Sequence, residues 1–148
     1  MFPFARQSVI GVACLALPAV LVAQGGKPAT PAAAVQEFMR AVADSNLSRM
    51  SQLFGTSRGP SATTHQPADY EKRMVIIQAM LGRIQVHTLG DVPGRDGMRT
   101  VSTELQRGNC KIVIAVNAVS AHGSWLVHDF DLTAASQFNQ PCANGNGT

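Results

Sequence analysis

Charge is scarce in this chain: 14% of residues are Asp, Glu, Lys or Arg, and aromatic residues amount to 5%, with one Trp and one Tyr. Recognition of nucleic acid needs clustered bases, usually with stacking rings. Here twelve Lys and Arg are scattered against nine Asp and Glu, so that class is excluded. Cysteine is also sparse, with Cys14, Cys110 and Cys142 forming no CxxC pair, and no two of the four histidines stand at i, i+2 or i, i+4. No zinc site or other metal centre is expected from such spacing. The chain has no GxSxG, Walker or GxGxxG signature, so a nucleophile elbow, a phosphate-binding loop and a dinucleotide cofactor drop out with them. No cofactor is expected. Apolar runs long enough to span a bilayer are missing too.

The longest such run, Val9–Val22, follows a short segment carrying Arg6 and ends in small residues, "AQGG". Its 14 residues make a helix of about 21 Å, against a hydrocarbon core of about 30 Å. Pro18 breaks it further. This is the pattern of a secretory signal peptide over residues 1–25, with Ala23-x-Gly25 as the better small-x-small cleavage match and a cut after Ala23 as the alternative. An uncleaved anchor is the competing reading. Cys14 invites a lipid anchor, but Gly11 stands where a bacterial lipobox has Leu, and apolar sequence runs on past it. The expected location is exported, periplasmic or extracellular, with the membrane met only through the export signal.

Export gives the remaining cysteines a meaning. An oxidising compartment favours a Cys110–Cys142 disulfide. It would close a loop of about 30 residues, worth roughly 3–4 kcal/mol, and tether the tail 134–148. The competing state is a buried thiol at Cys110 and a loose one at Cys142.

Residues 26–30 read as a linker. Thr30-Pro31 then resembles an N-cap with Pro in the first turn, and Val35, Phe38, Met39 and Val42 recur at helical spacing. Asp44-Ser45-Asn46 breaks that helix and caps a shorter one with Leu47, Met50 and Phe54 on its buried face, ended by Gly55. Residues 55–67, "GTSRGPSATTHQP", carry no apolar period and predict a long loop. A third helix is predicted from Ala68 to Leu81, with Tyr70, Met74, Ile77 and Leu81 along one side. The period then becomes two. "RIQVHTL" alternates, "GDVPGRDG" predicts a turn, and "MRTVSTELQ" puts Val101, Thr103 and Leu105 on one face. "CKIVIAVNAV" predicts a nearly continuous buried strand, and Ala121-His122-Gly123 turns the chain into "SWLVHDFDL". The expected class is α+β, three N-terminal helices packed on an antiparallel sheet of about four strands.

The opening "AAAVQEFMRAVADSNLSRMSQLFG", with its short second helix after an Asp, and the closing "GSWLVHDFDL" carry a family resemblance. Over residues 31–133 the chain resembles the nuclear transport factor 2-like (cystatin-like) superfamily and its small exported members. The resemblance implies a cone in which a curved sheet wraps the helices around a pocket. It implies no particular activity, since such proteins include isomerases, dehydratases, hydrolases, ligand binders and interaction modules.

Three functional readings follow. The leading one is non-catalytic binding of a small apolar ligand or a protein partner, in a pocket lined by Phe38, Met74, Ile77, Val101, Ile114 and Phe130. The second is an isomerase- or hydratase-like enzyme with His128 as base and Tyr70 as donor. The third is a homodimer through an outer sheet face around Trp125 and Val127. In "SWLVHDFDLT" strict alternation puts Leu126, His128, Phe130 and Leu132 on one face, and Trp125, Val127, Asp129 and Asp131 on the other. His128 is thereby separated from the two aspartates, which are expected to be solvated.

Overall fold

The computed structural model describes residues 26–136 of the chain. It is α+β, with a four-stranded antiparallel sheet.

Helix α1 spans Pro31–Ala43. Thr30 caps it, its hydroxyl accepting from the Ala33 N–H at 3.1 Å, and Pro31 occupies the first turn, where a missing N–H costs nothing. Ala34, Val35, Phe38, Met39, Ala41 and Val42 form its buried stripe. Ser45, at φ 53°, turns the chain out of the helix, and Asn46 caps α2 (Leu47–Leu53) by accepting from the Arg49 N–H. The buried face of this helix runs through Met50 and Leu53 and continues into Phe54, which lies just past it. Leu47, expected there, is 40% exposed at the first position of the helix.

The segment 55–67 is more ordered than its composition predicts. A two-residue pair, β1 (Gly55–Thr56) and β2 (Gly59–Pro60), forms a miniature hairpin, and one helical turn, α3 (Ser61–Thr64), follows. Gly55 is required here, because a Cβ would lie 2.3 Å from the Gly59 carbonyl oxygen. Helix α4 (Tyr70–Leu81) buries Tyr70, Met74, Ile77 and Leu81, the predicted stripe, and packs on α1 and α2.

The sheet order is β3-β4-β5-β6, a meander of β3 (Gln85–Pro93), β4 (Arg99–Arg107), β5 (Cys110–Ala121) and β6 (Ser124–Phe130). Half of the predicted "GDVPGRDG" turn is strand. A bulge at Leu89 lets Gly90–Pro93 go on pairing with β4, so the reversal begins only at Gly94. Gly108-Asn109 and His122-Gly123 close the other two hairpins. Val101, Thr103 and Leu105 are fully buried, as alternation requires. β5 is not continuously buried: it alternates, Ile114 and Val116 facing the core while Val113 is 56% exposed. Helix α1 lies against all four strands, and a short α5 (Leu132–Ser136) follows β6. Among the described residues no helix is long and apolar enough to cross a membrane.

The last strand corrects the predicted alternation. Val116 pairs with Phe130 and Asn117 with Asp129, but Ala118 pairs with Val127, so His128 is the extra residue of a bulge. Val127 and Phe130 therefore share the core face, and Leu126 faces the other way with Val119 and Ala121. Val127 has no exposed surface, which removes it from any outer dimer face.

Candidate functional site

The six residues expected to line a pocket are brought together, but as packed core. Phe38, Met74, Ile77, Val101, Ile114 and Phe130 belong to one contiguous cluster, and the Phe38 ring packs at a tilt against both Phe130 and Phe54, at centroid distances of 5.4 and 6.1 Å. None of them lines any of three prominent cavities on the described surface. Phe rings at 0% and 6% exposure, in mutual contact, already occupy the interior that the cone pattern would leave open.

The concavity best suited to a small molecule lies instead at the outer edge of β6. Unpaired edge groups must find partners, and two remote segments supply them here. The Pro28 carbonyl accepts from the Trp125 N–H at 3.0 Å and from the Ser124 hydroxyl at 3.4 Å, and Phe54 forms a parallel bridge with Val127. Between this strap, helix α2 and the tip of the β5–β6 hairpin lies a cavity of about 400 Å³. Leu53, Leu126, Ala121, Pro28 and Pro60 give it apolar walls. Lys27, Arg49, Gln52 and His122 give it polar ones, with no carboxylate among the lining residues.

Arg49 is held firmly. Its guanidinium donates to Glu37 at 2.8 Å, to the Gly26 carbonyl at 3.2 Å and to the Gln52 side chain at 3.3 Å. One cation thus ties the strap, α1 and α2 together beside the cavity. His122 sits at φ 51°, in the left-handed region that few non-glycine residues adopt. Its Nε2–H donates to the Arg58 carbonyl at 3.2 Å, pinning the miniature hairpin to the tip of the β5–β6 hairpin. His122 and Ser124 share the cavity wall, but their hydrogen bonds go to the Arg58 and Pro28 carbonyls and none joins them. No general base therefore stands ready to activate the serine.

His128 and Tyr70 are not brought together as a catalytic pair. The half-buried His128 donates its Nδ1–H to the Gly55 carbonyl at 2.8 Å, which makes it a strut between the β6 bulge and the miniature hairpin. Tyr70 lies at the start of α4, its ring 6.1 Å from that of His65 and its hydroxyl donating to Glu71 at 3.2 Å. Desolvation, and then the Glu71 carboxylate, push the phenol above its ordinary value, so it stays protonated. No hydrogen bond or ring contact among the described residues joins the two. Asp129 and Asp131 are exposed and bond locally: Asp129 accepts from the Phe130 N–H, and Asp131 caps α5 through the Ala134 N–H. The described residues contain no group of His, Cys, Asp and Glu able to hold a metal ion. Cys110 opens β5 and packs against the core, while Cys142 lies outside the described residues, as do the leader and most of the tail.

Sequence reasoning missed this cavity because a linker, a segment expected to be a loop and a turn, none of which carries periodicity, are what bring α2 and β6 together around it. The available signals were Pro28 just ahead of the Thr30-Pro31 helix start and the glycines at 55 and 59. Compared with known proteins, the chain matches no family model, no curated protein and no solved structure.

Proposed function

We propose that this chain is an exported, non-catalytic binding module that takes a small ligand with an apolar body and an anionic end. The seat is the cavity between α2, the strap 26–28 and the tip of the β5–β6 hairpin. The observation that carries this reading is its lining. An apolar surface from Leu53, Leu126 and Pro60 meets two cations, Lys27 and Arg49, within a volume in the ordinary range of ligand sites. The anionic end would meet Arg49, whose position is already fixed by three partners, so little side-chain order is lost on binding.

The same reading retains a nuclear transport factor 2-like arrangement, the leader 1–25 as an export signal and the Cys110–Cys142 bond as the tie of the tail. Support comes from the α+β order, the meander and the helix α1 laid across the sheet.

Native mass spectrometry of protein recovered from the exported fraction tests it. A releasable extra mass is expected on the wild type, and should be lost from Leu126→Trp, whose indole fills the cavity while circular dichroism confirms the fold. Bare wild-type protein, or a mass retained in the variant, would overturn the assignment. The denatured mass of the same sample should lack the leader and be short of one hydrogen on each of the two cysteines.

A further inference from the structure

Two other recesses lie toward the β3 side of the molecule. The larger, about 920 Å³, opens where α1 and α4 end, with Arg83 and Arg107 in its wall beside Gln78 and Ser45. The second, about 410 Å³, runs between α1 and β3 and includes Arg40, His87 and Met39. Ala43 lines both, so the two recesses adjoin at the C-terminal end of α1, and together they are termed the trough.

Three guanidinium groups and no carboxylate line this trough. The chain as a whole is close to balanced, with nine acids against twelve bases, so the segregation is local. Arg49, Arg73, Arg99 and Lys111 each hold an acid, whereas Arg40 and Arg83 enter none of these ion pairs. Asp44, the acid adjacent in sequence, is exposed and lines neither recess.

The framework of the trough is fixed. Arg107 donates to the Met80 carbonyl at 2.9 Å, which holds its side chain against the end of α4. Gln78 donates to the Ser45 hydroxyl at 3.0 Å and so ties the ends of the two helices. A Cβ on Gly82 would stand 2.7 Å from the Gln78 carbonyl oxygen, so a side chain there would disturb this junction. The permanent cations are all Arg, whose planar fork pairs with two oxygens of one oxyanion where Lys offers a point charge.

We propose that this trough binds a small polyvalent oxyanion of the phosphate class, with Arg83 and Arg107 holding one charged group and Arg40 meeting a second. Neither Trp125 nor Tyr70 lines it, so it lacks the stacking platform that single-stranded nucleic acid needs. The competing account is that the arginines only balance the negative ends of α1 and α4.

Titration calorimetry with tripolyphosphate at physiological salt separates the two. Saturable binding is expected on the wild type. Arg83→Gln should weaken it about tenfold, the loss expected for a charge-assisted hydrogen-bonding group, and Arg83→Lys should fall between. Lys111→Gln, which removes an equal charge on the far side of the sheet, should leave it unchanged. Absence of saturable binding, or equal weakening by Arg83→Gln and Lys111→Gln, would overturn the proposal. The site is separate from the cavity beside β6, so neither result bears on the other.

Discussion

The two edges of the sheet meet their surroundings in different ways. β6 is closed by the chain itself: Pro28 takes the Trp125 N–H, Phe54 bridges Val127, and His128 reaches out to Gly55. β3 has no backbone cover among the described residues, and it carries a bulge at Leu89, Gly90 and a terminal Pro93. Irregularity and proline discourage a second strand from docking, so an open edge can persist without cover. The closed edge gains stability from remote segments, and the cavity lies where those segments and the hairpin tip leave space. Structure and candidate function are thus coupled at β6 and separable at β3.

Substitutions at the two edges should differ accordingly. Phe54 is buried, packs at a tilt against Phe38 and bridges to β6, so Phe54→Ala should cost about 3–5 kcal/mol in urea unfolding. A cost below about 1 kcal/mol would mean that the cover of β6 is not part of the core. His128→Ala removes one hydrogen bond to the miniature hairpin and should cost about 1 kcal/mol. Faster amide exchange should accompany it at the Gly55–Pro60 pair, and unchanged protection there would deny His128 its role as a strut. At the other edge Leu89 is 59% exposed, and Leu89→Ser should change stability by no more than about 0.5 kcal/mol. A larger loss would show that something covers β3 after all.

Periodic segments were legible in the sequence and irregular ones were not. Thr30-Pro31 announced the start of α1, and the stripe from Tyr70 to Leu81 announced α4, because capping chemistry and a 3.6-residue period act locally. The hairpin turn at His122-Gly123 was equally local. The bulge at His128 was not. It comes from pairing with β5 and from contact with Gly55, 73 positions away in the chain, and it reversed the predicted faces of Leu126 and Val127. The miniature hairpin was invisible for the same reason, since its short strands gain their order from Phe54 and His122. The six residues expected to line a pocket lie in one core cluster, and pattern alone does not distinguish a lined cavity from a filled core.

Methyl-resolved NMR during titration with decanoate, an apolar chain with one carboxylate, asks whether the cavity beside β6 takes a ligand. Shifts are expected at Leu53, Leu126 and Ala121, with the methyls of Met74, Ile77 and Ile114 unmoved. Shifts centred on those three core residues, or none at Leu53 and Leu126 at saturating ligand, would contradict the assignment of the ligand to that cavity.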